Sequence, residues 1–250
     1  MRRLIIGAHQ IARINTMARL PRLEVAHWPH LVVQRVHDGQ LLARDDADRA
    51  LLLQTWREAA RAYQVSIHAY CLAADHFHLL LTPEQDASLS LFMQAVGRRY
   101  VSAFNRRHGR QGGLWAGRYR ATIVDPARYL LDAMVWVETH GQRAGGLSPA
   151  LDDAWSSARH HLGRGSDPLV SDHRVFWSLG NTPFEREAAW RSRLEEGLSV
   201  PLARRMSEAM HKGWALMPDA ALPALEAAVG RRLTPRPRGR PRKVTAGPAP

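Results

Sequence analysis

Seven residues, Asp75-His76-Phe77-His78-Leu79-Leu80-Leu81, restrict the possible folds more than any other part of the chain. The run is short, apolar and preceded by a turn, as a strand is, and successive strand side chains point to opposite faces. His76, His78 and Leu80 then share one face, and Phe77, Leu79 and Leu81 share the other. The face of phenylalanine and leucines can only be a core face. The two imidazoles project together from the opposite side, near enough to hold one metal ion, with Asp75 alongside to orient a ring. The competing reading is a pair of polar residues satisfied on a solvated sheet face. Spacing by itself leaves both open.

The flanking segments extend the pattern. Residues 28–37 read as a first strand, followed by a His37-Asp38-Gly39-Gln40 turn. Asp45 and Asp46 offer a cap and first-turn acidity for a helix to Tyr63, whose Leu52, Trp56, Ala59 and Tyr63 recur at helical spacing. Residues 65–71 alternate like a second strand, and Ala73-Ala74-Asp75 turns it into the histidine strand. Ser88 or Ser90 is expected to cap a helix to about residue 108, and a fourth strand follows at 119–124. Asp125-Pro126 starts a further helix that Gly141 ends. Strand, helix, strand, strand, helix, strand, helix predicts an α+β fold: a ferredoxin-like antiparallel sheet covered by helices on one face. The open face would carry the histidines.

Four regions follow from this reading: an N-terminal extension at 1–16 with Met17 as a second candidate start, the sheet domain at 17–145, a mainly helical C-terminal extension at 146–230, and a basic tail at 231–250. Within the extension, helical patterns fall at about 184–198, 201–212 and 222–229. The tail, broken by prolines and free of acid, is expected to be disordered when unbound.

A formal net charge of +12 implies a polyanionic partner. No apolar run approaches the ~20 residues that cross a bilayer, and no basic amphipathic helix suggests a membrane surface, so nucleic acid leads. The single Cys71 excludes an intramolecular disulfide and fits a reducing cytoplasm.

On the last helix of the sheet domain, Trp136 and His140 lie four residues apart and share a stripe. Tyr129 lies two turns earlier, about 10 Å along the axis. If that helix packs beside the histidine strand, His140 becomes a third nitrogen ligand. Otherwise it is an exposed residue near a helix C-terminus.

Taken together, the motifs resemble the single-tyrosine transposases of the His-hydrophobic-His superfamily, the type associated with repetitive extragenic palindromes. The resemblance is carried by His68-Ala69-Tyr70, by the histidine strand, by Phe104-Asn105-Arg106-Arg107-His108-Gly109, and by Leu114-Trp115-Ala116-Gly117-Arg118-Tyr119-Arg120-Ala121. Tyr129-Leu130-Leu131 and Arg143-Ala144-Gly145 continue it. It implies two histidines holding a divalent ion, magnesium or manganese, that polarises a phosphodiester of single-stranded DNA. It also implies a helical tyrosine that attacks the phosphorus and an amide ligand one turn later. His76 and His78 match the ligand positions directly.

The helix departs from the family pattern. Where the family reads Arg-Tyr-Ile-Glu-Leu-Asn-Pro-Val-Arg-Ala-Gly, this chain reads Val135-Trp136-Val137-Glu138-Thr139-His140-Gly141-Gln142-Arg143-Ala144-Gly145. Trp136 stands at the tyrosine position and His140 at the amide position. An indole N–H only donates and cannot attack phosphorus. Three readings remain: a DNA-binding transposase relative without covalent chemistry, a hydrolytic nuclease on a three-histidine site, or Tyr129 as a substitute nucleophile.

Arg98, Arg99, Arg106 and Arg107 crowd one helix, and Arg118, Tyr119 and Arg120 enter the fourth strand. The resemblance places them near DNA, as phosphate and base contacts. In the tail, Arg238-Gly239-Arg240-Pro241 has the core of an AT-hook, whose arginines enter an A·T-rich minor groove. DNA is therefore the expected partner, single-stranded or hairpin, with the protein a monomer or homodimer.

Overall fold

In the computed structural model, which describes residues 23–143 and 153–234, the histidine strand is one of two central strands of a four-stranded antiparallel sheet. The elements are β1 (His30–Arg35), α1 (Asp46–Ala62), β2 (Val65–Leu72), β3 (His76–Pro83), α2 (Ser88–Arg107), β4 (Arg120–Ile123) and α3 (Pro126–Glu138). The strand order β2-β3-β1-β4, with α1 and α2 as crossovers, is the split βαβ arrangement expected. Residues 1–22, 144–152 and 235–250 lie outside the described residues, and with them the expectations for 1–16, Met17, Ala144-Gly145, Arg238 and Arg240.

Alternation in β3 distributes its side chains as the sequence predicts. Phe77, Leu79 and Leu81 face α1 and α2, in a core with Trp56, Phe92, Tyr100 and Phe104. Leu80 faces the other way, with Leu31 and Val33 of β1. In β2 the alternation is interrupted. A bulge at His68 shifts the register between Ile67 and Ala69, so Ile67 packs on the α1 side while Ala69 and Cys71 pack opposite. The His68 ring donates from Nδ1 to Ser171 O at 2.7 Å and bonds Thr82 Oγ1 at 2.8 Å.

The second face is not open. After α3 come α4 (His140–Arg143), α5 (Ala158–His161), α6 (Arg174–Trp177), α7 (Pro183–Glu196), α8 (Val200–Lys212), a short 3-10 turn (Asp219–Ala221) and α9 (Leu222–Val229). Leu130, Ala133 and Val137 of α3 pack on it with Phe176, Trp190, Leu194, Met206 and Met210 of the extension. The expected one-sided sheet is thus covered on both sides. The physical reason is apolar area: Leu31, Val33, Ala69, Cys71 and Leu80 would otherwise meet water. The extension also closes both sheet edges. On β2, Leu72 N–H donates to Trp155 O, and Ser157 and Ser171 N–H donate to Tyr70 O and Ile67 O. On β4, Leu216 N–H donates to Ile123 O. Pairing an edge strand removes the exposed row of unbonded groups that invites aggregation.

Helix starts show what local sequence can encode. Asp45 caps α1, accepting from Asp48 N–H, and Asp125 caps α3, accepting from Arg128 N–H, with Pro126 following. Neither expected serine caps α2. Its Ala87 is left-handed at φ 66°, and the carboxylate of Glu24 takes the Leu89 N–H at 2.6 Å and the Ser90 hydroxyl at 2.6 Å. That cap comes from 65 residues away in sequence. No helix among the described residues is long and apolar enough to cross a membrane.

Candidate metal centre and nucleic-acid interface

Three imidazoles meet between the sheet and α3. His76 and His78 sit on the α3-facing side of β3, paired across to Arg35 and Val33 of β1. The α3 helix is interrupted at Thr139, whose hydroxyl donates back to Val135 O at 2.7 Å, and the next turn presents His140. Its ring centre lies 4.7 Å from that of His76 and 4.3 Å from that of His78. One ring nitrogen from each residue lies within 4.8 Å of the others.

Hydrogen bonding orients these nitrogens. His76 donates from Nδ1 to Asp75 Oδ1 at 2.5 Å, which leaves the lone pair of the neutral ring on Nε2. That Nε2 is 2.7 Å from His140 Nε2. Asp75 is itself held by Arg35, at 2.9 Å. His78 is 2% exposed, and neither of its ring nitrogens has a hydrogen-bond partner. A buried imidazole left this way carries an uncompensated desolvation cost unless something binds it.

Burial lowers all three histidines from their ordinary value. His140 falls to about 3, with the neighbouring His76 ring and the Arg143 and Arg35 guanidiniums adding to burial. His78 lies well below the usual range, and His76 is lowered although Asp75 opposes it. The rings are therefore neutral at physiological pH, the form in which imidazole binds metal. The donor set fits a divalent ion. Three nitrogens suit zinc, iron, nickel or copper better than magnesium, which prefers oxygen ligands. Replacing His78 with alanine is expected to remove one equivalent of bound zinc, read by titration calorimetry on protein that keeps its circular dichroism. Undiminished stoichiometry would take His78 out of the site.

Trp136 packs edge-on against His78, with ring centres 4.7 Å apart, and the Arg143 guanidinium lies 4.9 Å above the indole. No hydroxyl occupies this position. Tyr129 is buried two turns earlier in α3, about 10 Å along the axis, beneath the guanidiniums of Arg128 and Arg205. The structure does not bring it to the histidines.

Residues 25–138 match the family model described as transposase, IS200 like. Over those residues the chain is similar to IS200-like transposases. In fold, it is similar to a solved structure of a tyrosine transposase associated with repetitive extragenic palindromes, bound to a hairpin of that repeat. The two are 15% identical with a TM-score of 0.52, over 64% of this chain and 93% of that one. A transposase structure from Deinococcus radiodurans is 24% identical over 46% of this chain and 92% of that one, with a TM-score of 0.32, too low to bear on the fold. No curated protein matches the chain in sequence.

Beside the histidines, the sheet domain and the C-terminal extension form a cleft of about 750 Å³. Arg35, Arg118, Arg120, His211, Lys212 and Arg231 line it, and no acidic side chain does among the described residues. Arg35 and Arg120 lie on the same sheet face as the histidines, since both Arg35 with His76 and Arg120 with Val33 are cross-strand pairs. The Arg35–Asp75–His76 chain joins the cleft to the three imidazoles. Tyr119 borders the cleft but is buried in the α2 core, its hydroxyl 3.1 Å from Ser90 Oγ. Trp115 likewise packs against Phe77 and Tyr100.

The arginines of α2 lie elsewhere. This helix covers the opposite sheet face from the histidines, so Arg98, Arg99, Arg106 and Arg107, expected near DNA, lie across the sheet from the three imidazoles. Arg107 is held by Asp45 and by the fully buried Asp48, and Arg99 pairs with Glu58 at 3.3 Å.

Sequence reasoning passed over one buried acid. Glu138, the last residue of α3, is 0% exposed and accepts three hydrogen bonds from the extension. They come from Ser157 Oγ at 2.5 Å, His161 Nδ1 at 2.6 Å and Trp190 Nε1 at 2.9 Å. A signal was available. Residues 134–137 are apolar on every side of the helix, so a charge at 138 had to be buried and paired.

Proposed function

We propose that this protein binds single-stranded or hairpin DNA at the metal centre and basic cleft without forming a covalent link to it. The observation that carries the reading is Trp136, packed against His78 where the family resemblance calls for an attacking tyrosine. The hairpin bound in the similar structure supports the choice of nucleic acid, and the unbroken run of cations in the cleft supports phosphate contact.

Each residue has a task in this reading. Arg35 and Arg120 hold phosphates on the histidine face, and Lys212 extends the grip from the extension. Asp75 fixes His76 with its lone pair toward the centre, and burial keeps all three imidazoles unprotonated. A divalent cation, when bound, supplies positive charge to a non-bridging phosphate oxygen. Trp136 offers a ring and no nucleophile.

Incubation with end-labelled hairpin DNA and manganese or zinc tests this directly. Retardation in native gels with intact, unlinked DNA is expected. A protein-linked band that survives denaturant would show that a tyrosine still attacks. Cut fragments free of protein would favour a hydrolytic three-histidine enzyme, a reading encouraged by the third imidazole in place of an amide. Changing Arg35 and Arg120 together to alanine is expected to flatten the salt dependence of single-strand binding by about 1.4 in log–log slope. An unchanged slope would move the strand out of the cleft.

A further inference from the structure

We infer that the C-terminal extension holds a second divalent-cation site, built from His161 and Asp172 and completed by His160. None of these residues belongs to the first centre, and the three offer ligand atoms within 4.8 Å of one another. His160 and His161 are consecutive on α5. Asp172 follows Ser171, whose N–H donates to Ile67 O, so the bulged edge of β2 fixes where that carboxylate lies.

The separations are long for hydrogen bonds and match those between two ligands of one ion. His161 Nε2 lies 3.4 Å from Asp172 Oδ1, and His160 Nε2 lies 3.5 Å from the same oxygen. Both His161 Nε2 and Asp172 Oδ1 are buried with no hydrogen-bond partner. Two atoms on one zinc ion, each about 2.0–2.1 Å from it at tetrahedral angles, stand roughly 3.3–3.4 Å apart. His161 is 2% exposed and points this unbonded nitrogen at the carboxylate.

The surroundings prepare the ring as a ligand. Glu138 Oε1 accepts the His161 Nδ1–H at 2.6 Å. Burial opposes charging the ring, but Glu138 and Asp172 together raise it to about 9, so a bound ion displaces the Nε2 proton and takes the lone pair left there. A carboxylate behind a histidine is the usual outer partner of a metal ligand. Charge points the same way. Glu138 and Asp172 carry two negative charges, which one imidazolium leaves half neutralised and one dication balances. Two nitrogens and an oxygen suit zinc or a similar transition ion, with a fourth position for water.

His160 is the adjustable member. Its Nδ1 accepts the Asp167 N–H at 3.1 Å, which puts the proton of its neutral ring on Nε2. Coordination through Nε2 therefore moves that proton to Nδ1 and turns the Asp167 amide away toward water. His161 has only to give up its Nε2 proton, and Asp172 needs no change.

Zinc chloride alone is the probe, on the full chain carrying His76→Ala and His78→Ala so that the first centre is removed. One equivalent of zinc is expected by calorimetry and elemental analysis, and cobalt in its place should give visible d–d absorption. Adding Asp172→Asn should abolish that equivalent. Adding His160→Gln, at a partly exposed side chain, should weaken it by about tenfold or more while leaving the fold intact. A folded double variant that binds no zinc would overturn the inference, as would zinc binding that both further substitutions leave untouched.

Discussion

Glu138→Ala is expected to destabilise the protein by about 3–5 kcal/mol, the range for breaking a buried, paired charge. The carboxylate is 0% exposed and accepts from Ser157, His161 and Trp190, so its replacement takes an acceptor from three buried donors at once. These donors lie on α5, just before it, and on α7, so the loss falls on the docking of the extension against α3. Urea unfolding in the presence of chelator should show a lower midpoint. Glu138→Gln, which keeps an acceptor oxygen, should lose less. A shift below about 1 kcal/mol for the alanine variant would mean that apolar packing alone docks the extension.

Trp136→Tyr is expected to create a covalent protein–DNA adduct absent from the natural chain. The substitution places a phenol on the α3 stripe beside His78, the position now filled by the indole. A hydroxyl there has what the indole lacks, an oxygen lone pair able to attack phosphorus, forming a 5′-phosphotyrosine bond as the bond to the 3′-oxygen breaks and leaves a free 3′-hydroxyl. Labelled hairpin DNA with manganese, separated under denaturing conditions, should show a retarded band that protease removes. A second variant, Trp136→Tyr with His140→Asn, restores the amide ligand as well and separates the two departures from the family pattern. If both variants keep DNA retardation and metal binding yet give no adduct, the scaffold lacks more than its nucleophile.

Local patterns read well where the determinant is itself local. The alternation in β3 gives the right faces for His76, His78 and Leu80, because neighbouring strand residues point oppositely whatever surrounds them. Asp45 and Asp125 cap their helices because a cap is a contact within three residues. The α2 cap escaped the same logic, since Glu24 reaches it through space. The His68 bulge escaped it too, because an inserted residue leaves no mark on composition. Arg107 drew attention as a DNA contact through its place in a run of cations, whereas the fold commits it to Asp45 and Asp48.

By itself, the sequence determined the order of strands and helices, the likeness of residues 25–138 to IS200-like transposases, and the placing of His76 and His78 on one face of a strand. Those properties depend on residue identity and on spacings of two to four positions. Only the tertiary structure decided that His140 joins the pair from 62 residues further along the chain than His78, that Arg35 and Lys212 share one cleft, and that Glu138 ties the extension to α3. Each of these depends on which surfaces the buried apolar groups bring together, and a contact across the core has no counterpart in nearby sequence.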